Sequence, residues 1–290
     1  MVEAEVSGMV ASTPRRQLAL AKPRNDVLLG HMLSWSIKLF RIRGIRLEVH
    51  ATFFFLLAYV GWEGWTDART DGLIWSLLTV AAFFACVVLH ELGHSLTGRR
   101  YGVNVSRILL MPIGGMAEFD SLPREPRKEL LITLAGPAVN FVIAGLLWWP
   151  VTRLPEVIYF YTAEGLLYQL FAANLVMGLF NLVPVFPMDG GRILRAGLAT
   201  RMPYLEATRR AALVGKILAV VGIVVMLLWL ESVLGALLFT FILMAGESEY
   251  RAVQRRERND TEWREMLARY YSRPRVPAPN LDVTDRDPPC

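Results

Sequence analysis

The sequence predicts an all-α polytopic membrane protein with about six transmembrane helices and a small β-hairpin or strand loop near the cytoplasmic membrane surface. Three observations predict it: a composition more apolar than one soluble core requires, a succession of apolar runs near membrane-crossing length, and Lys and Arg concentrated in alternate loops. The chain of 290 residues is 54% hydrophobic with a formal net charge of +5, and its mean hydropathy is +0.37. Its basic residues fall in blocks between apolar runs, with no single stripe interleaved with aromatics. A lipid bilayer is therefore an expected partner, and nucleic acid is not. The cysteines are Cys86, inside an apolar run, and Cys290, the last residue, so no disulfide framework is expected.

Taken in order, residues 1–42 read as a flexible, basic, cytoplasmic segment, with 1–31 a flexible extension or a mis-set start. No continuous apolar stretch or small-residue cleavage site precedes the first long apolar run, so no signal peptide is expected. Residues 43–247 read as the membrane core. A helix of roughly 20 apolar residues crosses a bilayer core. Candidate spans cover residues 49–62, 73–96, 130–150, 164–183, 211–230 and 233–245, the first and last being short. Six spans put both ends of the chain on one side. That side collects Lys38, Arg41, Arg43 and Arg46, the loop with Arg99, Arg100, Arg107, Arg124, Arg127 and Lys128, the loop with Arg192, Arg195, Arg201, Arg209 and Arg210, and the tail after Glu247. The opposite loops hold only Arg69 and Arg153, so the basic side is read as cytoplasmic. Residues 98–129 contain the strand-like run from Val103 to Leu110, followed by Pro112 and Gly114-Gly115. Residues 248–290 read as a basic cytoplasmic tail, helical to about Tyr271 and disordered from Arg273, where Pro and Asp accumulate.

The sharpest chemical signal is His90-Glu91-Leu92-Gly93-His94, at the cytoplasmic end of the second candidate span. Imidazoles four residues apart share one helix face and can grip one metal ion, and the Glu between them can reach the attacking water. Ionisable residues inside an apolar span are costly and mark function. A catalytic zinc takes three protein ligands and keeps one open position, so a third ligand is required. Asp189 is the candidate: it follows the fourth span, on the same side as His94, after Pro184 and Pro187 have stopped that helix and beside the turn-forming Gly190-Gly191. The competing reading is that Asp189 caps the short helix of residues 191–199. His50 and the Trp residues at 62, 65, 148 and 149 fit membrane interfaces.

With these residues in view, the sequence resembles the site-2 proteases, intramembrane zinc enzymes. The resemblance rests on the His-Glu-x-x-His helix paired with Asn181-x-x-Pro184-x-x-x-x-Asp189-Gly190, in that order and spacing. The lead-in of residues 44–50, Gly114-Gly115 and Ala135-Gly136-Pro137-Ala138-Val139-Asn140 add to it. It implies a six-span core, one zinc ion per chain, and cleavage of the transmembrane segment of a membrane-protein substrate. The implied setting is a prokaryotic inner membrane with both chain ends cytoplasmic. In this motif Asn181 is placed to donate a hydrogen bond to the developing oxyanion, and bonding to neighbouring backbone is its alternative role. An extended substrate could add to the strand edge of residues 103–110, with Val105 and Ile108 as contacts and Gly114 and Gly115 permitting close approach. The peptide-binding and nucleotide-sensing domains of many relatives do not fit in this chain. Two other classes remain open at this point: a metal or proton transporter, and an inactive membrane adaptor. Substrate identity and oligomeric state are not legible.

Overall fold

A computed structural model of the protein describes residues 35–112, 114–119, 123–155 and 157–272. The extension 1–31 and the tail from Arg273 lie outside the described residues. In chain order the elements are β1 (Ser36–Ile42), β2 (Ile45–His50), α1 (Thr52–Arg100), β3 (Val105–Met111) and β4 (Gly114–Phe119), then α2 (Pro126–Val151), α3 (Ala163–Asn181), α4 (Asp189–Ala199), α5 (Tyr204–Leu228) and α6 (Val233–Ser272). Every helix except α4 contributes a stretch long and apolar enough to cross a membrane. The chain divides into two compact units, residues up to 119 with Val142–Asn174, and residues 123–141 with those from 175 onward.

In the first unit the strands form one sheet in the order β1-β2-β3-β4. β1 and β2 are an antiparallel hairpin, β3 runs parallel to β2 with α1 as the crossover between them, and β4 returns antiparallel beside β3. Two expectations change as a result. Ser36–Ile42, read as the end of a flexible segment, is held in place by pairing with β2. The run from Val103 to Leu110, read as a free edge, has a strand on each side, and the open edge beyond it is β4. Only a long crossover can bring two parallel strands together, and a reading confined to one loop does not see the strand that arrives from before α1.

A polar chain ties the four strands together. Glu48 of β2 is 2% exposed. It accepts hydrogen bonds from Ser36 of β1 at 2.8 Å and Arg107 of β3 at 3.0 Å, and Arg107 also donates to Glu118 of β4 at 2.7 Å. Burial pushes the Glu48 carboxyl up, but the Ser36 hydroxyl, Arg107 and Arg46 outweigh it and hold the group below the ordinary carboxylate range.

Helix α1 contains the first two expected spans. Its path breaks at Ala68 and Arg69, where φ/ψ are −135°/24° and 54°/−129°. The halves fold back on each other: a Cβ on Gly64 would overlap the Gly72 carbonyl, so only glycine allows this approach. Further along, Phe53 meets Phe84 edge to face with centroids 4.6 Å apart. The six expected apolar segments therefore occur as five helices, one of which is a hairpin. Trp62, Trp65, Trp148 and Trp149 are all exposed, as residues facing membrane interfaces should be.

In the second unit α5 and α6 pack antiparallel, with Gly222 against Phe239 and Gly235 against Met226. The stretch between α3 and α4 is pinned to this pair. Val185 and Met188 cluster with Ala219 and Ile242, and Phe186 with Ala211 and Ala212. Burying a side chain such as Phe186 contributes about 1.5–3 kcal/mol, which fixes the backbone just before Asp189. Helix α6 carries the last expected span into the charged helical stretch beyond Glu247 without a break.

Candidate metal centre

His90 and His94 lie near the end of α1 and are 5% and 7% exposed. Their Nε2 atoms are 3.1 Å apart and their rings nearly perpendicular at 86°, so both nitrogens address the same small volume. Glu91 is half-buried beside them. Strand β4 runs against its stem: a Cβ on Gly115 would lie 2.8 Å from Glu91 Cγ and 3.0 Å from Val87 Cγ1. Glycine at 115 is thus what lets the open edge of the sheet approach Glu91.

Asp189 is the first residue of α4 and is 8% exposed. The helix starts two residues earlier than expected, behind an extended Met188, so Asp189 lies within its first turn and Met188 holds the cap position. Gly190 and Gly191 press against the backbone of residues 182–186, so the turn before Asp189 leaves no room for a Cβ. His90, His94 and Asp189 each offer a ligand atom within 4.8 Å of the others. Two donors about 2.05 Å from a tetrahedral zinc stand about 3.3 Å apart, close to the 3.1 Å between the imidazole nitrogens. Two imidazoles and a carboxylate are also a donor set of catalytic zinc sites. The group fits a metal ion.

Arg195, expected among the exposed charges of a cytoplasmic loop, is 1% exposed. On α4, six residues after Asp189, its guanidinium donates through Nε and Nη2 to Glu129 of α2 and through Nη1 to Glu249 of α6 at 3.0 Å. It lies 5.2 Å from the Phe186 ring and 5.0 Å from the Tyr204 ring. Burial works against its charge, and Glu129, Tyr204 and Glu249 more than offset that, holding its pKa above the ordinary value. The helix that begins with Asp189 is thereby anchored to two others. Nothing in the local pattern separates Arg195 from its exposed neighbours, because its carboxylate partners are 66 and 54 residues away.

Asn181 is the half-buried last residue of α3. Asn140 is fully buried and packs at Gly178, in keeping with a packing role. His50 ends β2 and accepts the Thr52 N–H at 3.3 Å where α1 begins, away from the metal group. Val105 and Ile108 are 4% and 1% exposed on the interior strand β3.

Membrane-crossing helices together with a buried His-Glu-x-x-His pair and a carboxylate define the class as a polytopic membrane metalloprotein. Residues 78–158 and 156–228 match Peptidase family M50. A solved structure, a site-2 protease from Methanocaldococcus jannaschii, aligns with a TM-score of 0.54 and 38% identity over 74% of this chain and 95% of that one. A zinc metalloprotease of the same archaeon is 42% identical over 225 residues, 77% of this chain and 62% of that protein. Stage IV sporulation protein FB of Bacillus subtilis is 26% identical over 215 residues, 73% of this chain and 70% of that protein. The chain belongs to peptidase family M50, the site-2 proteases, and is an integral membrane protein. It spans between 45% and 62% of the length of the first three curated relatives, each named as a zinc metalloprotease. None of these similarities supports a transporter or an adaptor.

Proposed function

We propose that the protein is a zinc-dependent intramembrane endopeptidase that hydrolyses peptide bonds in or near transmembrane segments of membrane-protein substrates. The observation that carries this reading is the buried group of His90, His94 and Asp189 with Glu91 beside it. Family membership and the names of the relatives support the same activity.

Held by those three residues, one zinc ion per chain would supply Lewis-acid polarisation of a peptide carbonyl and a water of lowered pKa. Glu91 takes the proton of the attacking water and returns it to the leaving amine. Asn181 donates a hydrogen bond to the carbonyl oxygen as charge develops there. A helical substrate hides its amides, so it must be unwound, and an extended segment can then pair with the open edge of β4. Gly114 and Gly115 keep that edge free of side chains next to Glu91, while Val105 and Ile108 brace it from β3. The distribution of Lys and Arg supports a cytoplasmic location for both ends of the chain, and the likeness to archaeal and bacterial proteins supports a prokaryotic inner membrane. Within that layout residues 43–247 form the protease core and 248–290 a cytoplasmic tail.

The test is elemental analysis of detergent-purified protein, combined with cleavage of a reporter transmembrane substrate. Wild type should carry about one zinc per chain, and His94→Ala and Asp189→Ala should lose it. Glu91→Gln should keep zinc and cut nothing. Full zinc in Asp189→Ala would return that residue to a structural role, and cleavage by Glu91→Gln would overturn the mechanism.

A further inference from the structure

An open groove of about 690 Å³ runs between α5 and α6, at the level where α6 changes from apolar to charged. Its charged end is formed by Lys216 of α5 with Glu247, Arg251 and Arg255 of α6, and its apolar end includes Leu243 and Met244. Positions 244, 247, 251 and 255 follow one another at three- and four-residue intervals, so they form one stripe on the helix. Glu247 forms an ion pair with Lys216 Nζ at 2.5 Å and accepts from Arg251 Nε at 2.7 Å. One carboxylate against three cations leaves the groove positive, and that carboxylate also holds two of the cations in place. Arg251 spends its Nε on the pair, and among the described residues the Nη groups of its fork have no acceptor of their own. The Lys216 and Arg251 side chains are 39% and 64% exposed, and Met244 is 67% exposed.

The two ends of the groove ask for two chemistries in one ligand. A free phosphate would use the cations and leave Leu243 and Met244 idle, and a neutral lipid would do the reverse. We propose that this groove binds one anionic phospholipid, its phosphate held by Lys216, Arg251 and Arg255 and an acyl chain laid along Leu243 and Met244. Basic pockets between membrane helices at an interface are suited to such headgroups, and each Lys or Arg near an anionic lipid surface contributes about fivefold in affinity.

The experiment is native mass spectrometry of the full chain in mild detergent. It is titrated with phosphatidylglycerol or with phosphatidylcholine of the same acyl composition, with glycerol 3-phosphate as competitor. Wild type should retain phosphatidylglycerol in preference to phosphatidylcholine and ignore the competitor. Arg251→Gln/Arg255→Gln should lose about twenty-five-fold in phosphatidylglycerol affinity, the product of two fivefold contributions, with phosphatidylcholine unchanged. If the double variant does not purify, Arg255→Gln alone, at an exposed residue with no ion pair among the described residues, should lose about fivefold. Three outcomes would overturn the proposal. They are equal retention of the two lipids by wild type, displacement by glycerol 3-phosphate, and a variant that keeps wild-type preference. Cleavage plays no part in this readout, so it stands or falls separately from the protease reading.

Discussion

Replacing Arg195 with methionine should lower stability by about 3–5 kcal/mol, the usual result of removing one partner from a buried ion pair. The structure supplies the reasons for the full effect. Arg195 is 1% exposed and Glu129 is fully buried. Without the guanidinium, Glu129 Oε1 keeps only the Tyr204 hydroxyl at 3.3 Å, and Oε2 already has no hydrogen-bond partner among the described residues. A carboxylate would then be left in a site that water does not reach, and Glu249 would lose its 3.0 Å donor as well. For a domain of this size the loss corresponds to a fall of roughly 10 °C in the unfolding midpoint, followed by tryptophan fluorescence in detergent. Because α4 begins at Asp189, zinc content should fall with the anchor. The second arm is Arg195→Met combined with Glu129→Leu, which removes both partners and should recover most of the loss, since an apolar replacement of a buried pair is close to neutral. A single variant within about 1 kcal/mol of wild type, below the range for a broken buried pair, would refute the reasoning. A double variant no more stable than the single one would refute it as well.

Two further outcomes follow from the first unit. Glu48 has a depressed pKa in the fold, so its contribution to stability is complete above the ordinary value of 4.5 and is lost as pH falls through the lower folded value; Glu48→Gln should flatten the acid side of the stability profile measured by chemical denaturation, and an unchanged slope would contradict the pairing with Ser36 and Arg107. Gly115→Val would set a Cβ 2.8 Å from Glu91 Cγ and force the carboxylate aside. A misplacement near 1 Å costs on the order of a hundredfold in rate, so cleavage should collapse while zinc content holds, and wild-type cleavage would mean that β4 does not constrain Glu91.

What the sequence determined by itself is whatever short-range periodicity encodes. Apolar run length locates the membrane helices. A four-residue spacing puts His90 and His94 on one helix face, and two prolines and two glycines force the turn before Asp189. Tertiary structure decided the contacts that depend on distant segments meeting. β3 became an interior strand because β2, separated from it by the whole of α1, pairs on its far side. β4 thereby became the open edge, and Gly115 gained its place against Glu91. Arg195, one arginine among many in the composition, became a buried anchor because Glu129 and Glu249 arrive from other helices. The physical reason is the range of the information: helix and turn propensities act within a few residues, whereas strand neighbours and buried charge partners are fixed only when the packed chain removes water from both sides of a contact.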